Sequence, residues 1–395
     1  MIEIYIVALL LAVVAVYVTV RMKFGFILGS ILISISLGCY QSYIGVAAAL
    51  CLLYLIKMVL DKKDTKEIVL MVGKLLAMGI VGIILYFIIL KIILSIKGVT
   101  LSNYKGANEM GIPPLGQWPS LLYRTYLHFI GYFIGQSFFK ATSFYSWVRI
   151  LTILSSSLLG IYIVVNKKLY KNKVNFMLLI LFIILMPLVV NIVDFVAYNT
   201  ELSTLNIYQF VIPFILCIVL LENSTLNGKN FKKIIGIIEC VSVLTLTLVG
   251  WDNFITTNRY YMKVYSFCNY TYSFNTRLLA RIEETPGFSY DMPVMIVGEE
   301  ESEFYEMLYD ITPWNDVINY DQALWGRYVG YEDLYFFEND AKIIRIIGNT
   351  LGVDLQIASF DVKEKILETN EFENMEVWPS KDAVKIIDDV LVIKM

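Results

Sequence analysis

Eight long apolar runs fill the first 250 residues: Ile2–Val20, Phe24–Cys39, Tyr43–Leu60, Val69–Ile96, Phe144–Val165, Phe176–Val196, Ile207–Leu221 and Ile234–Gly250. This feature constrains the fold more than any other. A bilayer span needs about 20 mostly apolar residues. Within hydrocarbon, backbone polar groups must be satisfied inside the segment, which leaves helices or closed barrels. Runs this long and this apolar are helices. Hydrophobic residues make up 57% of the 395-residue chain, against roughly 45–50% in a soluble protein, and the excess is concentrated in these runs. The expected membrane domain is 1–250. Met1 leads almost directly into Ile4–Val20, with no basic stretch and no small-residue cleavage site, so this segment reads as a span rather than a signal peptide.

Charge sets an expected orientation. Basic residues cluster at Arg21/Lys23, Lys57/Lys62/Lys63/Lys66, Lys167/Lys168/Lys171/Lys173 and Lys229/Lys232/Lys233. With eight spans all four clusters fall on one side, and the positive-inside rule makes that side cytoplasmic. The amino terminus and residues 251–395 are then expected outside. Residues 252–395 hold 26 Asp+Glu and 12 Lys+Arg, net −14, whereas residues 1–251 hold 9 and 20, net +11. An acidic tail argues against nucleic acid as a partner. It alternates strand and helix signals, with helical character over Asn258–Glu284 and Ala341–Leu351 and strand signals at Pro293–Val297 and Val390–Ile393. A small α/β domain of about 110–140 residues is expected there.

The five cysteines form no CxxC pair, no Cys/His cluster points to a metal, and no cofactor motif is evident. The only histidine is His128, and no Ser-His-Asp pattern is built around it.

The expected outer loops are distinctive. They are Tyr40–Gln41–Ser42–Tyr43, the stretch Gly98–Leu121 and Tyr198–Asn206. Leu121–Phe139 mixes Tyr, Phe and His with Arg124, which suits a helix lying in the interface near 119–140. Ionisable residues at membrane depth cost about 2.5–3.5 kcal/mol on insertion scales, so those present are candidates for function. Asp194, beside Asn191, falls near the outer end of the sixth run; Arg149 lies just inside the fifth, and Glu239 lies in the eighth. For Asp194 a water-facing helix end is the competing reading, for Arg149 an interfacial anchor, and for Glu239 a partner on a neighbouring helix. Lys105 and Arg124 are outer cations with no topogenic task. They suit a lipid phosphate, with ordinary phospholipid headgroups as the other option. Tyr40, Gln41 and Tyr43 offer aromatic faces beside amide and hydroxyl groups, as a sugar site would. Tyrosine enrichment at interfaces explains the same residues structurally.

These segments bring a family into view. Ser36–Tyr43, with its Tyr40–Gln41–Ser42–Tyr43 turn, resembles the hairpin of the Gtr-type (type II) bacterial membrane glucosyl transferases. Trp251–Asp252–Asn253 is similar too, followed by the helix ending Arg277–Glu283 and by Pro293–Gly298, as is the ending Trp378–Asp389. The resemblance implies a polytopic α-helical membrane protein, a GT-C-like helix bundle, carrying a small α/β extracytoplasmic domain. It implies transfer of glucose from a polyprenyl-phosphate donor to a surface polysaccharide such as O-antigen, on the outer face of the bacterial cytoplasmic membrane. Partners would then be lipid-linked glucose, a polysaccharide acceptor and membrane lipid. In one respect the sequence departs from the pattern. The family's acidic pair, expected in the first outer loop, has no counterpart here, so the resemblance implies that further spans and this pair lie outside this sequence.

Glycosyl transfer needs a base for the acceptor hydroxyl and cations for the leaving phosphate. By position the acidic candidates are Glu109, Asp194 and Glu201. Lys105 and Arg124 are the phosphate candidates, and Tyr40, Gln41, Tyr43 and Trp118 the sugar or acceptor contacts. The alternative function is a transporter or export component for polysaccharide or lipid-linked sugar. Such proteins place ionisable groups at mid-membrane more often, and here only Glu239 comes close to that depth.

Overall fold

A computed structural model describes residues 2–100, 113–134, 146–199, 204–224, 232–298 and 340–395. The chain divides into two compact units, 1–253 and 254–395.

The first unit is helical: α1 (Ile2–Arg21), α2 (Gly25–Cys39), α3 (Ile44–Leu60), α4 (Thr65–Lys97), α5 (Trp118–Ile134), α6 (Ser146–Asn166), α7 (Lys173–Val190), α8 (Ile192–Val196), α9 (Ile212–Asn223) and α10 (Lys232–Glu283), whose end belongs to the second unit. Among the described residues six helices are long and apolar enough to cross a membrane: those containing Glu3–Arg21, Gln41–Leu60, Thr65–Lys97, Trp147–Asn166, Lys173–Val190 and Lys233–Ile255. This is a polytopic membrane protein. Two of the eight expected spans form shorter apolar helices, Gly25–Cys39 and Tyr208–Asn223. At 1.5 Å per residue the 15 residues of α2 reach only about 22 Å, short of the roughly 30 Å hydrocarbon layer.

Helices in lipid gain little from the hydrophobic effect on pairing, so small residues that permit close approach decide the contacts. Ala8, Ala12 and Ala15 of α1 are fully buried. A Cβ on Gly29 of α2 would sit 2.2 Å from Thr19 Oγ1, and one on Gly82 of α4 would sit 2.8 Å from Ile33 Cγ2. Hydroxyls reinforce this trio: Ser36 Oγ donates to the Ala8 carbonyl at 2.7 Å and Ser30 Oγ to the Met78 carbonyl at 3.1 Å. A second cluster packs α3 against α7 and α9 through Leu53, Ile56, Leu179, Phe182, Met186 and Leu220.

Polar groups gather at both ends of α3 and α7. At one end Lys167 Nζ donates to the Leu60 carbonyl (3.1 Å) and to Asn223 Oδ1 (2.7 Å), Lys57 pairs with Glu222 at 3.3 Å, and Thr65 donates to Asn175 at 2.7 Å. Burial holds the Lys167 ammonium below the usual lysine range. The basic residues following α3 and α6 therefore share one end of the bundle. At the other end lie the 40–43 turn and the α7–α8 junction. Glu239 is not a bare charge, because Ser224 Oγ donates to it at 2.7 Å.

In the second unit, α10 ends on a four-stranded sheet of order β2-β1-β4-β3, formed by β1 (Pro293–Val297), β2 (Gln356–Ile357), β3 (Val384–Ile387) and β4 (Val390–Lys394). β1 runs parallel to β2 and β4, and β3 pairs antiparallel with β4. Between β1 and β3 lie α11 (Asp340–Leu351), α12 (Phe360–Leu367) and α13 (Asn370–Glu373). Phe274, Leu278 and Ile282 of α10 join Ile343 and Ile347 of α11 in the core over Val294, Leu391 and Ile393. The tight turn between β3 and β4 uses two residues at positive φ, Asp388 and Asp389, a conformation that aspartate tolerates better than most residues.

Candidate functional site

The site grows from a break in α7. Pro187 lies inside that helix and has no N–H to donate, which weakens the last turns. α7 stops at Val190, the Asn191 N–H bonds back to the Pro187 carbonyl at 3.0 Å, and the short α8 restarts at Ile192. The restart turns Asp194 inward, and the residue is 5% exposed.

A buried carboxylate requires partners, and α5 supplies two. Arg124 and His128 are four residues apart, hence on one helix face. Arg124 Nη2 lies 3.4 Å from Asp194 Oδ1, and His128 Nδ1 lies 3.1 Å from Asp194 Oδ2. The same guanidinium donates to the Asp194 carbonyl at 2.7 Å and the Tyr198 carbonyl at 3.2 Å, tying α5 to the end of α8. Asn191 Nδ2 donates to the Thr125 carbonyl at 3.1 Å and reaches Asp194 Oδ2 at 3.4 Å. Among the described residues, Arg124 Nε and Thr125 Oγ1 are buried without a hydrogen-bond partner. In the tautomer that donates Nδ1–H to the carboxylate, the acceptor nitrogen of His128 is Nε2, as an oriented base requires.

The 40–43 turn builds a second polar group at the same end. Tyr40 Oη donates to Asn206 Oδ1 at 2.6 Å, and Ser42 Oγ donates to the same oxygen at 2.8 Å. Gln41 Nε2 donates to Tyr86 Oη. Tyr5, Tyr40, Tyr43 and Tyr208 stack edge to face in a chain, with centroids 4.8, 4.9 and 5.7 Å apart. Gly45 brings the two groups together: a Cβ there would lie 3.1 Å from Gln209 Cδ and 3.4 Å from Ile192 Cγ2. Trp118 donates its indole N–H to the Pro113 carbonyl at 2.9 Å and meets Phe195, the neighbour of Asp194, at 5.7 Å.

Of the residues expected from sequence, Asp194 and Arg124 meet directly, and Tyr40, Gln41 and Tyr43 share one polar and aromatic turn. Lys105, Glu109 and Glu201 lie outside the described residues. The water-facing reading of Asp194 fails, because its carboxylate is buried and paired. Arg149 is not an interfacial anchor either. It is 5% exposed and lies 3.8 Å from Asp252 Oδ2. Sequence reasoning passed over His128. Its signal was the four-residue spacing from Arg124 on an aromatic-rich helix. Among the described residues no group of three or more His, Cys, Asp or Glu gathers to hold a metal ion.

No curated protein and no solved structure matches the chain. A protein-family model, described as glucosyl transferase GtrII, matches residues 2–214, which take in α1 through α8 and both polar groups. That match covers more than half of the chain, and the chain belongs to the GtrII glucosyl transferase family.

Proposed function

We propose that this membrane protein transfers glucose from a polyprenyl-phosphate donor to a cell-surface polysaccharide, and that the Asp194–His128–Arg124 group carries the chemistry. The observation behind this reading is a buried carboxylate held by the chain's single histidine and an arginine, inside the segment matched by the family. In the proposed step an acceptor hydroxyl oxygen attacks C1 of glucose as the C1–O bond to phosphate breaks. His128 Nε2 takes the hydroxyl proton. The bonding pair remains on the phosphate oxygen, which departs as polyprenyl phosphate.

Each group has a physical task. Asp194 holds the imidazole in one tautomer and stabilises the imidazolium that forms. Arg124 keeps a third of its side chain exposed, enough to approach a phosphate while it also orients Asp194. The turn of Tyr40, Gln41 and Tyr43, with Trp118, offers aromatic faces and amide groups to the sugar or the acceptor. Lys105, Glu109 and Glu201 remain candidates on position alone.

Orientation follows from charge. With the basic end of the bundle in the cytoplasm, the Asp194 end faces outward; the same charge rule applied to eight spans is what supports an extracytoplasmic location for residues 251–395. The test uses membrane vesicles of defined sidedness given radiolabelled polyprenyl-phosphate glucose and acceptor glycan. The expected result is label in the glycan, with a nucleotide-glucose donor giving none. Movement of lipid-linked sugar across the vesicle without a new glycosidic bond would instead identify a transporter.

A further inference from the structure

Arg149 and Asp252 form a second buried pair in the membrane unit, each 5% exposed. Such a pair is poor value for stability, since a well-packed apolar pair of similar volume is often as good or better. Its surroundings suggest another use. Arg149 of α6 donates from Nη1 to the Tyr132 carbonyl at 3.3 Å, and its guanidinium stands 5.2 Å from the Tyr132 ring centroid. Tyr132 lies one turn beyond His128 on α5, and Arg149 holds both its carbonyl and its ring. Arg149 thus binds α5 at Tyr132, and Asp252 of α10 is its counter-ion, with Nη2 to Oδ2 at 3.8 Å.

The same helix carries the candidate chemistry. Arg124, His128 and Tyr132 follow at four-residue intervals, so they form one stripe along α5. One end of the stripe grips Asp194 and the other is gripped by Arg149. We propose that Asp252 is a positioning residue: through Arg149 it fixes the rotation and depth of α5, and so the alignment of His128 with Asp194. The inference rests on the reading of the Asp194 group as transfer machinery, but it can be measured without activity.

His128 is the only histidine in the chain. Protein labelled with 15N-histidine and carrying a histidine-free affinity tag gives one pair of ring nitrogen signals, which report where the proton sits. In detergent or nanodiscs, Asp252→Asn and Arg149→Gln are each expected to move those signals away from the Nδ1–H form, with Arg149→Lys closer to wild type. The apolar double variant Arg149→Met with Asp252→Leu keeps the fold by the packing argument and is expected to move them as well. In the transfer assay the single variants should lose about tenfold in kcat, with KM for the lipid donor within about twofold. The double variant Arg149→Gln with Asp252→Asn should lose no more than either single one, because the two act through one linkage. Unchanged His128 signals in the folded variants would overturn the proposal, as would multiplicative losses. Failure of the wild-type protein to transfer glucose would overturn the donor assignment instead, and the His128 signals would still decide the coupling.

Discussion

Asp194 illustrates how much a single residue's surroundings decide. A buried carboxylate without partners is costly, and Arg124, His128 and Asn191 converge on this one. Removing one of them leaves a buried charge with fewer partners. Arg124→Ala is expected to destabilise the protein by about 2 kcal/mol, read as a lower melting temperature in detergent. Adding Asp194→Asn to that variant should recover part of the loss, because the uncompensated charge is gone. His128→Asn should leave stability near wild type and reduce transfer about a hundredfold, the lower range for loss of a general base. Sequence reasoning reached Asp194 and Arg124 separately, from the cost of charge in a membrane and from an outer cation without a topogenic role. It did not pair them, because a sequence separation of 70 gives no periodicity from which a contact could be read. Nor could it see that Arg149 meets Asp252, a contact that depends on how α6 and α10 pack.

At the scale of elements, glycine positions divide into those that carry a helix contact and those that do not. A side chain at Gly82 meets Ile33 and the Ser30 carbonyl, whereas nothing lies within 4 Å of a Cβ on Gly73 or Gly79 of the same helix. Gly82→Val is therefore expected to destabilise the α1–α2–α4 trio by about 1–3 kcal/mol, while Gly79→Ala should be neutral or slightly stabilising. Thermal unfolding of the two variants in matched detergent makes the comparison. The helices themselves were legible from apolar run length. The shortness of α2 and the break before α8 were less so. A run of apolar letters continues through Pro187 and Asn191, so run length does not mark where α7 stops at Val190 and α8 restarts at Ile192. The expected interfacial helix near 119–140 is described as α5 up to Ile134, and what singles it out is the polar stripe that meets α8.

For the whole molecule, the polar groups at the two ends of α3 and α7 differ in kind. One end is rich in lysine, and the other carries the tyrosines of the 40–43 turn and Asp194. Single cysteines at Lys171 and at Ser42, in a background without native cysteines, are expected to label from opposite sides of intact cells, Lys171→Cys only after permeabilisation. Ser42 is buried, so Leu115→Cys, at a highly exposed position, serves as a second reporter for the outer face. Both cysteines labelling from the same side would overturn the orientation. The family was legible from the 40–43 turn, which lies within the matched residues 2–214, whereas the similar segments after residue 250 lie beyond that match.

The most direct test of the central claim is donor turnover by purified protein: the rate at which Asp194→Asn, folded and as stable as wild type, releases polyprenyl phosphate from labelled polyprenyl-phosphate glucose in the presence of acceptor. A fall of at least about a hundredfold in kcat is the predicted result. Turnover within a few fold of wild type would contradict it and place the chemistry on other residues.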